Sequence, residues 1–335
     1  MKHYNYYIGV DISKKTLDIC VCAKGNKQHI LRISNDSKGL ASLKKSLKKW
    51  SITPKESMIC LENTGFYSHL LAQWSVENKY DTWMANSLDI KKSLGLTRGQ
   101  NDEIDAYRIA LYAYRFEDKK QLWKPSSQAI CHLQHLSTTR SRFVRMLSQA
   151  TVPLQELEPF IPKHMQKFMK KATNPVIKGL KKSLELVEKQ IQRHIEQHTE
   201  LAKMHENIMS IKGVGNQLAT GIIIASHAGQ KLRDAKAMAC YAGVAPFEHK
   251  SGTSVRGRTK VSPLANKSLK TLLHMGALSA IRNNQEIKAY YERKVAEGKP
   301  KMLVINAVRN KLITRIFACI RDGRKYQKNY IRKVA

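Results

Sequence analysis

Four acidic residues in the first third of the sequence are candidate metal ligands. Asp11 and Glu62 each follow a short apolar run that predicts a buried strand, and Asp102 and Asp105 stand three residues apart at a predicted helix start. A carboxylate at the end of a buried strand is costly unless it is paired or holds a cation. If the four converge, their hard oxygen atoms suit Mg²⁺ or Mn²⁺. Two such ions, about 4 Å apart, would polarise a phosphoryl group.

Each of these residues also has an ordinary structural interpretation. Asp11 alone would serve as a turn residue at the end of a strand. Asp102 would cap the following helix, and Asp105 in its first turn would only stabilise the helix start. The metal hypothesis therefore depends on the four residues together and on the elements that position them.

The hydrophobic pattern of residues 6–113 predicts three strands followed by helix, strand, helix, strand and helix. The predicted strands are 6–10, 16–22, 29–33, 58–61 and 80–84, and the predicted helices are 37–47, 66–78 and about 101–113. A linking segment with Gly95 and Gly99 precedes the last helix. This order suits a mixed α/β sheet covered on both faces, with its first and fourth strands adjacent and parallel. Asp11 and Glu62 would then lie at the edge where such sheets bind ligands.

The charge of the chain predicts a polyanionic partner. Its 335 residues include 59 lysines and arginines against 26 aspartates and glutamates, so the formal net charge is +33. The excess is spread over the whole chain, and nucleic acid is the commonest partner of such a protein. A membrane surface is a weaker alternative because no long helix pairs a basic face with a wide apolar one.

Cysteine usage and hydropathy predict an intracellular, cytoplasmic protein with reduced thiols. The six cysteines form no CxxC pair and do not cluster with histidine, so we do not expect a zinc site. The N-terminal residues lack the apolar core of a signal peptide, and the longest apolar run, around 222–225, is too short to span a bilayer.

The middle of the chain is predicted to be helical. We expect one helix at about 127–147, a bend at Pro153, Pro159 and Pro162, and a long helix after Pro175. Apolar residues at spacings of three and four along the long helix indicate a coiled-coil-like seam. The seam comprises Ile177, Leu180, Leu184, Val187, Ile191 and Ile195. It either packs on its own domain or contacts a second copy of the chain.

A glycine turn between two predicted helices offers a phosphate site. The sequence Ile211–Gln217 contains Lys212, Gly213 and Gly215, and an apolar helix follows. Free backbone N–H groups at a helix start suit a phosphate. In so basic a chain we expect a contact with a nucleic-acid backbone, although a plain helix-capping turn is the alternative.

The sequence after Tyr241–Pro246 is rich in hydroxyl and basic side chains. We interpret residues 247–260 as a flexible loop that forms no core, with its cations available to nucleic acid. These cations are Lys250, Arg256, Arg258 and Lys260. The chain is predicted to be helical again at about 265–282, and residues 285–335 are basic and mostly helical.

Two parts of the sequence resemble one family of recombinases. The first 115 or so residues resemble an RNase H/RuvC-type nuclease fold, and the quartet of Asp11, Glu62, Asp102 and Asp105 matches the DEDD signature of one class of insertion-sequence transposases, relatives of the Piv DNA invertases. Residues 211–229, the sequence Tyr241–Pro246 and Ser251 with its neighbour Gly252 resemble that family's C-terminal transposase domain. The two matches in this order are highly specific.

The resemblance implies three domains. Residues 1–125 would form a RuvC/RNase H-like DEDD catalytic domain, and residues 126–207 a helical coiled-coil linker region. Residues 208–335 would form the C-terminal transposase domain, with a helix-hairpin-helix and a serine loop.

The resemblance also implies a mechanism and partners. In this family the acidic site acts with a C-terminal serine that forms a covalent phosphoserine link to DNA, and a structured non-coding bridge RNA pairs with donor and target DNA. Ser251 is the best match for that serine, and Ser254 is the alternative. Because a serine hydroxyl is a poor nucleophile at its free pKa, it would need activation or a position beside metal-bound phosphate. Lys250, Arg256 and Arg258 would steady that phosphate.

A mechanism that works across two DNAs implies a homodimer or tetramer. The resemblance further implies a prokaryotic, nucleoid-associated protein that has no membrane partner.

The sequence departs from the family pattern at two places. Gln100 and Asn101 replace the usual Lys and Thr or Ser before Asp102. This leaves open a contact to phosphate or to the side chains around the metal ligands, but it does not change the predicted ligands. The sequence Pro263–Ala265 replaces a basic, glycine-containing turn before the next helix, which leaves the DNA contacts of that loop open.

Two other functions remain open at the level of sequence. A RuvC-like metal-dependent nuclease or junction resolvase would need the acidic quartet but not Ser251. A non-catalytic nucleic-acid-binding protein would need only the charge.

Overall fold

The chain forms two compact units, Met1–Pro125 and Ser126–Ala335, in the computed structural model. The structure describes residues 2–63, 65–93, 95, 101–232, 234–251 and 255–328.

The first unit is built on a mixed sheet. Its strands are β1 (Tyr6–Ile12), β2 (Thr16–Ala23), β3 (Asn26–Ser34), β4 (Ser57–Glu62) and β5 (Asp81–Ala85). Its described helices are α1 (Ser37–Lys49), α2 (Phe66–Glu77), α3 (Ser87–Ser93) and α4 (Asp102–Arg115), followed by a 3₁₀ turn at Glu117–Lys119. The predicted strands and helices of this region are confirmed, with ends that differ by a few residues.

The strand order of the sheet is β3-β2-β1-β4-β5. Strands β1, β2 and β3 form an antiparallel meander, whereas β4 is parallel to β1 and β5 is parallel to β4. The predicted adjacent and parallel arrangement of the first and fourth strands is therefore confirmed. It brings the carboxyl ends of β1 and β4 to one edge of the sheet.

Both faces of the sheet are covered. The buried leucines of α1, at positions 40, 43 and 47, join the core with Ile8 and Val10 of β1. On the other face, Ala106 and Ala110 of α4 pack in one apolar cluster with Cys20 and Cys22 of β2.

Gly9 allows α4 to lie directly on β1. A Cβ atom at this position would lie 2.2 Å from the carbonyl oxygen of Ala106 and 2.3 Å from the amide nitrogen of Ala110. A side chain cannot occupy that space without shifting backbone atoms. Glycine therefore fixes the height of α4 above the strand that carries Asp11.

The short helix α3 was not predicted. Its seven residues bury only Ile90, so they carry no hydrophobic period that the sequence could reveal. The side chain of Asn86 accepts a hydrogen bond from the amide of Leu88 at 3.0 Å, and this local contact stabilises the helix start.

The second unit is mainly helical. Its helices are α5 (Gln128–Glu156), α6 (Lys163–Glu196), α7 (Thr199–Met209), α8 (Asn216–Ser226), α9 (Ala235–Tyr241), α10 (Lys267–Asn283), α11 (Gln285–Ala296) and α12 (Lys301–Asp322). A 3₁₀ turn at Glu158–Phe160 joins α5 to α6, and strands β6 (Pro246–Ser251) and β7 (Val255–Val261) form a separate two-stranded sheet.

Two proline-based boundaries in the middle region were predicted wrongly. Pro153 lies inside the last turns of α5, and Pro175 lies inside α6, which begins at Lys163. A proline removes one hydrogen bond and crowds the preceding turn, which weakens a helix without always ending it. The long contact between α5 and α6 compensates for this loss.

The predicted seam packs on its own unit at its C-terminal end. Ile191 and Ile195 of α6 are buried in one core with Ile130 and Leu133 of α5. The possible contact of the seam with a second copy stays a prediction.

Residues 247–260 were predicted as a flexible loop, which is wrong for residues 247–251 and 255–260; residues 252–254 lie outside the described residues. Strands β6 and β7 pair antiparallel over this segment, with Lys250 opposite Arg256 and Ser251 opposite Val255. A hairpin satisfies its backbone N–H and C=O groups within the pair, so polar composition does not prevent it from forming.

No helix in the described part of the chain is long and apolar enough to cross a membrane. The six cysteines lie in described segments, and each is a free thiol.

Candidate active site

A row of four charged residues crosses one end of the first unit's sheet. Asp18 of β2 is paired directly opposite Asp11 of β1, and Arg32 of β3 is opposite Asp18. Glu62 comes one residue after the last registered pair of β1 and β4, so it stands beside Asp11. Because residues in register on neighbouring strands share a face, these four side chains lie on one face of the sheet. We call this set the charged row.

Helix α4 begins over the charged row. Its N-cap is Asn101, whose side chain accepts a hydrogen bond from the amide of Glu103 at 2.8 Å. The alternative in which Asp102 caps the helix is therefore wrong. Asp102 and Asp105 lie in the first turn, where negative charge is favourable. Their position in the turn nearest Asp11 follows from the close packing of α4 on Gly9.

Three of the predicted metal ligands act electrostatically on the fourth, Asp11. Partial burial, and then repulsion from Glu62, Asp105 and Asp102, raises the pKa of Asp11 to about 6. A hydrogen bond from the amide of Ile12 to Asp11 Oδ1, at 3.0 Å, opposes this rise. The fields of the other three carboxylates therefore act together at Asp11.

Three of the four carboxylates also have side-chain partners. Glu62 Oε2 accepts a hydrogen bond from Ser87 Oγ at 3.1 Å, and Asp105 Oδ1 pairs with Arg108 Nη1 at 2.7 Å. Asp102 Oδ2 lies 3.5 Å from Arg32 Nη2. Within the described segments, no group of three or more Asp, Glu, His or Cys side chains is placed closely enough to hold a metal ion. Glu62, Asp105 and Asp102 act on Asp11 through their charge, but the four side chains as placed do not form a metal-ligand cluster.

The donor set fits a hard divalent cation. It consists of carboxylates only, which are the ligands that Mg²⁺ and Mn²⁺ prefer. A cation held between them would relieve the repulsion that, together with burial, raises the pKa of Asp11.

Sequence reasoning missed Asp18 and Arg32. Asp18 is only 7% exposed, and its Oδ2 atom is buried without a hydrogen-bond partner. Burial raises the pKa of Asp18, while Arg32 lowers it. A charged residue inside an alternating, β-rich run was the available signal, but only the register of the strands shows which residues it faces.

The glycine turn of the second unit lies between α7 and α8, as predicted. Gly213 has a φ of +99°, and a Cβ atom there would lie 2.5 Å from the Cβ of Ala280, so this glycine is needed for the turn itself. Gly215 is the N-cap of α8, with no side-chain cap and with open space around it. Lys212 is exposed beside them. An open helix N-terminus next to an exposed lysine suits a phosphate.

The predicted serine lies at the end of β6. The backbone of Ser251 is described, whereas the alternative nucleophile Ser254 and the neighbour Gly252 lie outside the described residues. The side chains at positions 249–256 and at 258, which include Lys250, Arg256 and Arg258, also lie outside them. Lys260 is exposed on β7, opposite Phe247.

Two family models match the chain. A model described as the transposase IS116/IS110/IS902 family matches residues 205–292, and a model of DEDD transposases of the IS110 type matches residues 8–157. The first match spans the glycine turn and the β6–β7 hairpin. The second spans the charged row and the start of α4.

Similar proteins are known from several bacteria. A pilin gene-inverting protein of Moraxella bovis is 27% identical over 326 residues, which cover 96% of this chain and 98% of that protein. A pilin gene-inverting protein of Moraxella lacunata matches with the same identity and coverage. An uncharacterised protein of insertion element IS110 from Streptomyces coelicolor is 28% identical over 155 residues, which cover 45% of this chain and 38% of that protein.

Proposed function

We propose that this chain, which belongs to the IS110-type family of DEDD transposases, cuts and rejoins donor and target DNA. The proposed reaction is metal-assisted phosphoryl transfer through a serine. We propose further that a structured bridge RNA selects the sites. The activity is that of an insertion-sequence transposase, and the inversion named for the Moraxella relatives is a related DNA rearrangement.

One observation carries this proposal. Asp11 and Glu62 stand side by side at the shared end of two parallel strands. Burial, and then repulsion from Glu62, Asp105 and Asp102, raises the pKa of Asp11 to about 6. Ordinary helix caps and strand-end turns do not require such mutual repulsion. Perturbed acids gathered at the edge of a sheet are typical of a functional site.

The proposed metal ligands are Asp11, Glu62, Asp102 and Asp105. A bound Mg²⁺ or Mn²⁺ would stabilise negative charge on the phosphoryl oxygens. Neutral pH lies above the pKa of Asp11, so this side chain is mostly ionised and able to attract a cation. Arg108 and Arg32 hold the side chains of Asp105 and Asp102 at the rim of the site.

The first unit is proposed to have an RNase H/RuvC-like fold. Support comes from its mixed sheet, in which an antiparallel meander leads into two parallel strands with acidic residues at their shared end. The second unit is proposed to comprise the coiled-coil region at residues 126–207 and the C-terminal transposase domain at residues 208–335.

The proposed nucleophile is Ser251, with Ser254 as the alternative. Its oxygen would attack a DNA phosphorus atom and displace one DNA oxygen, which leaves a phosphoserine link. Paired strands limit the backbone freedom of this segment more than a loop would, which favours a repeatable position for a nucleophile. Lys250, Arg256 and Arg258 are proposed to steady the phosphate.

The nucleic-acid surface is proposed to include Lys212, Gly213, Gly215 and Lys260. Their support is the open N-terminus of α8 and the exposure of both lysines. A homodimer or tetramer is proposed to hold the two DNAs together. Its candidate contact is the half-buried part of the α6 seam, at residues 177–187.

Covalent trapping tests the serine mechanism. Wild-type protein is incubated with bridge RNA, Mg²⁺ and end-labelled donor DNA, and the products are denatured and separated by size. We expect a labelled protein–DNA adduct that survives denaturation, is absent from Ser251→Ala and persists in Ser254→Ala. If only Ser254→Ala loses the adduct, the nucleophile is Ser254.

Other outcomes would replace the proposal. Cleaved DNA without any adduct would indicate a metal-dependent nuclease that uses water. DNA binding without cleavage, indifferent to Mg²⁺ and to Asp11→Asn, would indicate a non-catalytic binding protein.

A further inference from the structure

A buried acid lies beside the proposed metal ligands without being one of them. Asp18 is paired opposite Asp11 in the charged row and is only 7% exposed. Its Oδ2 atom is buried and has no hydrogen-bond partner. A buried carboxylate oxygen without a partner is costly, so its presence in a folded protein needs an explanation beyond stability.

Arg32 connects this buried acid to a proposed ligand. Arg32 Nε lies 3.6 Å from Asp18 Oδ1, and Arg32 Nη2 lies 3.5 Å from Asp102 Oδ2. The guanidinium therefore spans from the sheet to the first turn of α4 through two different nitrogen atoms. Asp18 is buried, whereas the side chains of Arg32 and Asp102 are 61% and 53% exposed. Asp18, as the buried member of this chain of contacts, is therefore the one held most firmly in place.

We propose that Asp18 and Arg32 are positioning residues of the acidic site. Asp18 holds the guanidinium of Arg32 at the end of the sheet, and Arg32 in turn holds the Asp102 carboxylate above Asp11. This inference rests on the proposed function, because it assumes that Asp102 is a metal ligand. It assigns a role to two residues outside the acidic quartet.

A purely electrostatic effect and a positioning role predict different changes in metal affinity. Asp18→Asn removes a negative charge near the site and would weaken the attraction for a cation at long range. Arg32→Gln removes a positive charge and would strengthen it. If the two residues position Asp102, both substitutions weaken binding, because each breaks the same chain of contacts. Outer contacts of metal ligands typically contribute about 10–100-fold in affinity.

A matched control is an ion pair between β3 and the same turn of α4. Lys27 Nζ pairs with Glu103 Oε1 at 2.5 Å, next to Asp102 but outside the proposed ligands. Lys27→Gln removes the same charge as Arg32→Gln, from an ion pair to the neighbouring residue. It should leave metal affinity unchanged or slightly higher. Arg32→Lys keeps the charge but has a single nitrogen, so it cannot span both carboxylates and should not restore affinity.

The experiment is a calorimetric titration of Mn²⁺ into the full chain at pH 8. We expect Asp18→Asn, Arg32→Gln and Arg32→Lys each to bind Mn²⁺ about tenfold more weakly than wild type, and Lys27→Gln to bind at least as well. Circular dichroism and a melting curve for each variant establish that it is folded. If Asp18→Asn does not fold, the two Arg32 variants carry the test, since that side chain is largely exposed.

Two results would overturn the proposal in distinguishable ways. If wild type binds Mn²⁺ and Arg32→Gln binds it equally or more tightly, the positioning role is wrong while the metal site stands. If wild type does not bind Mn²⁺ at all, the metal site itself is wrong and the positioning role fails with it.

Discussion

Asp11 is the residue on which the electrostatics of the acidic site converge. Its pKa of about 6 reflects burial first and then the three carboxylates around it. Asp11 and Glu62 could be found from sequence, because each ends an apolar run. Asp18 and Arg32 could not, because their place in the charged row depends on the register of β1, β2 and β3. Register depends on which strands pair and on the turns that join them, so it cannot be read from the residues of one strand alone.

Asp11→Asn should stabilise the metal-free protein at high pH. The folded-state pKa of Asp11 lies above its usual value of 3.8, so ionisation of Asp11 destabilises the fold as pH rises from about 4 to about 6. Asparagine does not ionise. We expect the variant to be about 1–2 kcal/mol more stable than wild type above pH 6, after allowance for solvent screening.

Melting temperatures measured in EDTA at pH 4.5 and at pH 8 check this prediction. The advantage of the variant should be present at pH 8 and should shrink at pH 4.5. An advantage of equal size at both pH values would show that repulsion at Asp11 is not its cause.

At the scale of elements, the packing of α4 on β1 sets the site. The strands and helices of the first unit were predictable because their apolar residues recur with clear periods of two or near 3.6. The short helix α3, the prolines inside α5 and α6, and the β6–β7 hairpin were not, because local contacts and tertiary packing override composition there. The close approach of α4 at Gly9 was also invisible to sequence, since it depends on which helix covers which strand.

Gly9→Ala should lift α4 and destabilise the first unit. The new methyl group would overlap the backbone at Ala106 and Ala110, and overpacking of this kind costs about 1–3 kcal/mol. Gly179→Ala is the matched control: it lies in α6, and a Cβ atom there would meet nothing within 4 Å. It should be neutral or stabilise its helix by about 0.5–1 kcal/mol.

Tryptophan fluorescence during urea unfolding separates these effects. The four tryptophans of the chain all lie in the first unit, at positions 50, 74, 83 and 123. We expect the fluorescence transition to move to lower urea for Gly9→Ala and to stay in place for Gly179→Ala. Equal transitions for Gly9→Ala and wild type would contradict the close packing of α4 on β1.

At the scale of the whole molecule, charge and family agree. A net charge of +33 predicts a nucleic-acid partner, and both family models that match the chain describe transposases. Net charge does not identify the residues that contact phosphate. The glycine turn is a better candidate than the average basic surface, because Lys212 stands beside the open N-terminus of α8.

Lys212→Gln should reduce the salt dependence of nucleic-acid binding. Each phosphate contact that is lost lowers the slope of log K against log salt by about 1. Lys48→Gln removes the same charge from the exposed face of α1 and should change the slope less. Filter binding or fluorescence anisotropy over a salt series measures both slopes. Equal slopes for the two variants would remove the glycine turn from the proposed interface.

Cutting of donor DNA over a Mg²⁺ series, with DNA binding measured in parallel, tests the proposed metal site most directly. Wild-type protein with the proposed bridge RNA should cut in Mg²⁺ and stop cutting in EDTA. Asp11→Asn and Glu62→Gln should bind the DNA as wild type does and fail to cut it. Cutting by wild type that persists in EDTA, or cutting by Asp11→Asn at the wild-type rate, would contradict a metal-dependent acidic site.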